Sequence, residues 1–282
     1  MPRFKLTVAY DGTAFHGWQR QTTAEGITLR TVQGTLQEAV RDVLRLPGIE
    51  VVGASRTDAG VHAIGQVAAF TAETTIPVEK LPAALTSRLP DDVQVREASI
   101  VHDDFDPISD AVAKCYRFTI AHGTARRGAE TGRGPFQLPP LFDRHFVHFT
   151  YHALDIERMD RAAQLLIGEH DFSAFAQVHH GRVSAVRTIF DCRVSAISTD
   201  RCAIDATGSG FLYNMVRIIA GTLVEVGLGR MQVEDVAAAL ASRDRRAAGP
   251  TLPPQGLCLQ WVRYPDDIAT PPPDGAIVPE NP

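Results

Sequence analysis

The segment Gly53-Ala-Ser-Arg-Thr-Asp-Ala-Gly-Val-His-Ala63 sets an arginine, an aspartate and a histidine (Arg56, Asp58 and His62) among small residues and glycines. Small neighbours let a substrate approach the backbone closely, and loops carried on a rigid sheet are where chemistry tends to sit. The same residues also fit a tight turn in which Asp58 bonds its own backbone, and spacing alone leaves both readings open. A second acidic group, His102-Asp-Asp-Phe-Asp106, suits either a magnesium site or a solvated strand end. Other chemistries lack their signatures. There is no G-x-x-x-x-G-K-[ST] phosphate cradle and no H-E-x-x-H. Gly208-Ser-Gly210 and Gly227-Leu-Gly229 lack the third glycine of a dinucleotide site. The adjacent His179 and His180 are poorly placed to reach one metal together. Cys115, Cys192, Cys202 and Cys258 form no C-x-x-C pair, which indicates neither a zinc ribbon nor a disulfide framework.

Positioning such a loop takes strands on both sides of it. Phe4 to Tyr10 alternates as a half-buried strand, followed by a loop holding Gly12 and Gly17. A helix is predicted from Thr31 to Leu46, with Val32, Leu36, Val40, Val43 and Leu44 on one face and Pro47-Gly48 as its stop. Glu50 to Ala54 and Gln66 to Thr71 read as strands joined by the Ser55 to His62 loop. Pro77 opens a second helix to Leu89, weakened by Pro82, and Val93 to Val101 is the next strand. The order β-α-β-β-α-β is that of a ferredoxin-like split βαβ unit.

The second half predicts the same order without any sequence-level repeat. Cys115 to Ala121 is a strand and Ile156 to Gly168 a helix with Asp155 as N-cap. Arg187 to Ser198 (Phe190, Cys192, Val194 and Ala196 on one side) and Cys202 to Thr207 are strands. Phe211 to Val226 and Val233 to Leu240 are helices, and Leu257 to Tyr264 is a final strand. The predicted fold class is α+β: two ferredoxin-like halves with joined antiparallel or mixed sheets and a cleft between them. Residues 1–110 form the half that carries the Asp58 loop and 111–265 the other. Residues 266–282 form a Pro-rich, poorly ordered tail, and Gly123 to Pro140 a long connection.

At 282 residues, 44% hydrophobic and 22% charged, the chain is ordinary globular material for about two domains. No run approaches the ~18 apolar residues of a membrane span, and the N-terminus lacks a signal-peptide core. A cytoplasmic location is therefore expected. A net charge of −5 argues against nonspecific coating of nucleic acid, yet charge is segregated. Lys114, Arg117, Arg126, Arg127 and Arg133 stand within residues 111–135 against Glu130 alone.

Arg56-Thr-Asp-Ala-Gly-Val-His-Ala63 resembles the catalytic signature of the TruA family of tRNA pseudouridine synthases. Further matches follow in order: Tyr10-Asp-Gly-Thr-x-Phe-x-Gly-Trp-Gln19, Thr31-Val-Gln-Gly34, Gly168-Glu-His-Asp-Phe172, and Phe211-Leu-Tyr-Asn-Met-Val-Arg217. Gly221, Glu225-Val-Gly227, Gly256-Leu-Cys-Leu259, Val262 and Tyr264-Pro265 complete them, so the resemblance runs from about residue 4 to 265. After Phe105 the chain reads Asp106-Pro-Ile-Ser-Asp110, where the family commonly has a small residue and an arginine.

The resemblance implies isomerisation of uridine to pseudouridine at positions 38, 39 and 40 of the tRNA anticodon stem-loop, without cofactor or catalytic metal. It implies Asp58 as the essential carboxylate and Arg217 as its cationic partner. Burial disfavours an unpaired charge on either group, and a guanidinium can hold a carboxylate by two hydrogen bonds. Tyr116 is implied to stack on the target uracil with its hydroxyl near the rearranging base, Leu257 to line the pocket, and Arg56 to reach the flipped nucleotide or occupy the space it vacates. Lys114, Arg117, Arg126 and Arg127 are candidates for RNA contact, with Arg88, Arg187, Arg243, Arg245 and Arg246 behind them. The implied partners are tRNA and a second copy of the chain; no membrane is implied. Two other classes compete: a non-catalytic RNA-binding module, and a metal-dependent RNA hydrolase built on the His102 to Asp106 acids.

Overall fold

The computed structural model describes residues 1–123, 138–177 and 184–265. Arg126, Arg127, His179, His180, most of the Gly123 to Pro140 connection and the Pro-rich tail lie outside the described residues. The described chain divides into two units. One is Met1–Lys114 with the segment from Cys258 onward, and the other is Cys115–Leu257.

In the first unit, β1 (Arg3–Tyr10) buries Phe4, Leu6, Val8 and Tyr10 on one side, as its alternation predicts. Helix α1 (Val32–Leu44) starts where the Thr31 hydroxyl accepts from the Gly34 N–H, and it buries Val32, Leu36 and Val40. Then follow β2 (Val52–Gly53), β3 (His62–Thr71), α2 (Leu81–Thr86) and β4 (Val93–Val101). The expected second helix is shorter than its pattern: Val78–Lys80 is a 3-10 turn, and α2 begins only at Leu81. Pro82 is tolerated because it falls in the first turn, where its missing N–H has no intrahelical partner to lose.

Strand order is β4-β1-β3, all antiparallel, with β2 antiparallel on the outer edge of β3 at Ala69 and Ala68. With α1 and α2 set between its strands, this half is α+β, as the sequence predicts. Because β2 is only two residues long, it leaves the start of β3 uncovered. The last strand, β10 (Leu257–Arg263), fills that place in parallel, pairing Cys258 with His62 and Leu259 with Ala63.

The second unit holds most of β5 (Ala113–Gly123), then β6 (His148–Ala153), α3 (Ile156–Gln164) and β7 (Gly168–Asp171). It continues through β8 (Val186–Ser198), β9 (Arg201–Gly208), α4 (Met215–Gly227) and α5 (Val233–Ser242). Strands run β5-β9-β8-β7, with β6 parallel on β5. Asp155 caps α3 as predicted, accepting from the Arg158 N–H. Helix α4 is apolar nearly all round, burying Val216, Ile218, Ile219, Leu223 and Val224, as a central core helix must.

Several expectations change here, and α3 stops at Gln164, short of the predicted Gly168, which instead begins β7. β6 and β7 are additional strands. Helix α4 begins at Met215 instead of Phe211, because Asn214 takes a left-handed conformation with φ 62°. In β8 a bulge between Ile189 and Asp191 breaks the simple alternation. It turns Ile189 and Asp191 inward and leaves Phe190 exposed; Ala196 is exposed as well. Both units are α+β, each with a mixed, mostly antiparallel sheet. Among the described residues no helix is long and apolar enough to cross a membrane.

Candidate active site

The Asp58 loop rests on the segment that follows β1. The Trp18 N–H donates to the Thr57 carbonyl (3.0 Å), the Gly60 N–H to the Phe15 carbonyl (3.3 Å), and the Val61 N–H to the Asp58 carbonyl (3.1 Å). The Tyr10 hydroxyl lies 2.7 Å from the Thr57 hydroxyl in a buried pair. The approach between the two segments is so close that a methyl group on Gly12 would stand 2.0 Å from the Val61 carbonyl oxygen. At Gly17, where φ is +89°, it would stand 2.6 Å from the Thr57 carbonyl oxygen. Thus Tyr10-Asp-Gly-Thr and Gly17-Trp-Gln, distant from the loop in sequence, form its bed. Asp58 itself is half-buried and Arg56 exposed.

Of Arg56, Asp58 and His62, the histidine is the least available. It begins β3, is buried, and its Nδ1 accepts from the Gly12 N–H at 3.0 Å, with the Asp11 carboxylate 3.2 Å away. The histidine therefore fastens the loop to its bed. Lys114 likewise turns inward, its Nζ donating to the Ala54 carbonyl (2.6 Å) just ahead of the loop. Spacing alone does not mark Tyr10, Thr57, Trp18 and Gln66 as supports of the loop. The first three stand in or beside quoted motifs, but nothing in spacing shows that the motifs touch.

In the second unit, Arg217 leaves the first turn of α4 half-buried. Its Nε donates to the Leu252 carbonyl (2.7 Å) and its Nη1 to Asn214 Oδ1 (2.7 Å), which fixes the plane of the guanidinium. The helix holds the 249–252 segment on the same side, with the Leu252 N–H donating to the Arg217 carbonyl and the Gly249 N–H to Thr222 Oγ1. Asn214, another residue missed from sequence, owes its inward reach to the left-handed turn. Tyr116 on β5 is only 6% exposed and packs edge-on against Phe211, with ring centroids 5.3 Å apart. Leu257 is buried at the start of β10.

The candidate RNA-contacting cations divide. Arg117 is committed to Asp205, with two bonds of 2.8 and 2.9 Å to a buried carboxylate, so its first role is structural. Arg117→Met should lower stability by about 3 kcal/mol by stranding the Asp205 charge, seen as a lower melting temperature. An unchanged melting temperature would show the pair to be dispensable. Arg243 pairs with Asp171 and Arg246 with Asp244, while Arg245 donates to the carbonyls of Ala248 and Gly249. Arg187 donates to the Ser184 and Val186 carbonyls, and Arg88 is exposed.

Two of the acids at 102–106 have partners close by in the chain. Asp106 Oδ1 accepts from the Ile108 and Ser109 N–H groups, which hold its carboxyl below the usual carboxylate range, and Asp104 bonds His102. Among the described residues no three His, Cys, Asp or Glu side chains gather as metal ligands. Burial pushes the Cys115 and Cys202 thiols up to about 12 and raises Cys192 as well, so these are packing residues rather than nucleophiles.

A family model described as tRNA pseudouridine synthase matches residues 6–108 and 162–265, spanning both the Asp58 loop and the Arg217 helix. The chain belongs to this family. A tRNA pseudouridine synthase A of Thermoanaerobacter sp. (strain X514) is 43% identical over 264 residues, covering 94% of this chain and all of the relative. Those of Caldicellulosiruptor saccharolyticus and Shouchella clausii are 40% and 41% identical over 264 residues, each covering 94% of this chain. They are themselves covered over 100% and 94% of their lengths. The protein is thus a TruA-type tRNA pseudouridine synthase, an intramolecular isomerase. Both interlocking segments of the first unit and the start of α4 lie inside the matched ranges of the pseudouridine synthase family.

Proposed function

We propose that this enzyme converts uridine to pseudouridine at positions 38, 39 and 40 of the tRNA anticodon stem-loop, with Asp58 as the essential carboxylate. The observation that carries the reading is the seating of the Asp58 loop, pinned to the Gly12 to Trp18 segment by backbone bonds and a buried hydroxyl pair. Such a support holds one side chain in one place, which catalysis by a single group requires. In the reaction the bond from ribose C1′ to uracil N1 breaks. The base turns, a bond from C1′ to C5 forms, the C5 proton leaves, and N1 takes up a proton, so that the product is an isomer of the substrate.

Arg217 supplies the counter-charge for Asp58. Its bonds to Asn214, just ahead of α4, and to the Leu252 carbonyl hold its guanidinium in advance. Tyr116 stacks on the uracil, backed by Phe211. Leu257 gives the pocket an apolar wall, and the exposed Arg56 meets the extruded nucleotide. Lys114 serves instead by holding the Ala54 carbonyl. Extruding a paired base costs a few kcal/mol, which stacking and backbone contacts return. The enzyme acts in the cytoplasm as a homodimer on tRNA, without cofactor or metal.

Mapping pseudouridine in an unmodified tRNA transcript after incubation with the enzyme tests this directly. Modification confined to positions 38–40 is expected, and modification elsewhere in the tRNA would overturn the site assignment. Recognition rests mainly on phosphate and RNA shape. Between 50 and 200 mM salt, tRNA affinity should therefore fall by about tenfold or more. A dissociation constant indifferent to salt would contradict phosphate-led recognition.

A further inference from the structure

Gln66 lies on β3 and is fully buried, at 0% exposure. Its side-chain amide does what a neighbouring strand would otherwise do. Oε1 accepts from the Ser55 N–H (3.2 Å) while Nε2 donates to the Ser55 carbonyl (2.6 Å). A primary amide presents an acceptor and donors much as a peptide unit does, so Ser55 is held in the manner of a ladder partner. The true ladder has ended by then: β2 stops at Gly53, and the Ala54 N–H makes the last bond to the Val67 carbonyl (2.8 Å). Gln66 Nε2 also lies 3.5 Å from the Tyr10 hydroxyl, which in turn lies 2.7 Å from Thr57 Oγ1.

We propose that Gln66 is a positioning residue for the reaction, fixing the backbone of Ser55 and, through Tyr10, the side chain of Thr57, and so the placement of Asp58. The proposal rests on the reading of Asp58 as the catalytic carboxylate. The loop leaves the sheet to carry Asp58, and just past Ala54 the Gln66 amide bonds both the N–H and the carbonyl of Ser55. An ordinary water-facing turn would satisfy Ser55 with solvent and leave the loop mobile. A buried amide satisfies it with a group that cannot drift, in surroundings where hydrogen bonds are not exchanged with water. Because Thr57 adjoins Asp58, a small shift in this network moves the carboxylate. Misplacement by ~1 Å costs a reaction on the order of a hundredfold.

Gln66→Met keeps the length and apolar stem but removes both bonds to Ser55. Tyr10→Phe removes one hydroxyl from the same network and disturbs packing less. Each is compared with wild type and with Asp58→Asn by single-turnover pseudouridine formation on unmodified tRNA at saturating enzyme, by tRNA dissociation constant, and by melting temperature. Rates are taken at a temperature where each variant is folded. For Gln66→Met we expect a rate lowered by about 10- to 100-fold with tRNA affinity within about twofold of wild type. Tyr10→Phe should show a smaller fall of the same kind. A residue needed only for folding would lower the melting temperature and leave the rate per folded molecule untouched. That result in either variant, beside an inactive Asp58→Asn, would overturn the role of Gln66 and leave Asp58 standing. Full activity in Asp58→Asn would instead remove the reading on which the proposal rests.

Discussion

Asp58→Asn should abolish release of tritium from tRNA labelled at uridine C5, lowering the rate by about a thousandfold or more. Asparagine matches aspartate in size, and position 58 is only half-buried, so the fold should hold and tRNA binding should persist. What disappears is the negative charge, together with any step in which it attacks or takes a proton. The matched-size substitution makes the result easy to read, because a folded, tRNA-binding and silent protein isolates the carboxylate. Equal release from wild type and variant would end the assignment of Asp58. A non-catalytic RNA-binding module on the same fold would release none from either protein.

Gly12→Ala should be nearly as damaging, although residue 12 carries no functional group. The added carbon would lie 2.0 Å from the Val61 carbonyl oxygen and 2.5 Å from its carbonyl carbon, both backbone atoms with no rotamer to escape through. Relief can come only by parting the Asp58 loop from its bed. The expected cost is about 3 kcal/mol of stability. A rate loss of about a hundredfold should remain at temperatures where the variant is folded. Gly48→Ala is the control, since nothing lies within 4 Å of a carbon added there. If Gly12→Ala and Gly48→Ala gave the same melting temperature and rate, the close approach would have no bearing on catalysis.

These two positions show where the sequence was informative and where it was not. The alternation of Phe4, Leu6, Val8 and Tyr10 and the span Val93–Val101 predicted strands that the structure reproduces, because burial on one side leaves a period of two. β6 was missed since its residues run from half-buried to exposed with no such period, and β7 since four residues are too few to display one. Alternation sets Phe190 on one side with Cys192 and Val194, but a bulge shifts the register and parts Phe190 from them, and a bulge of this kind leaves no compositional trace. At the site, Asp58 was legible as a carboxylate among small residues. Its support was not: Gly12 and Gly17 read as ordinary loop glycines, and Gln66 as a polar residue in a strand, because their meaning lies in contacts between distant segments. Arg117 illustrates the converse. It stood out as a cation near others, while the carboxylate that claims it, Asp205, is 88 residues further on.

The pairing of β10 with the start of β3 also governs how the protein is made. The edge of β3 at His62 and Ala63, where the Asp58 loop ends, is completed only when Cys258 and Leu259 arrive. At translation rates of about 5–20 residues per second, that edge waits on the order of ten to forty seconds after its own synthesis. Until then a nascent chain on the ribosome carries the whole loop without its finished scaffold. A polypeptide halted before Cys258 would expose that same open edge to quality control and stay silent toward RNA.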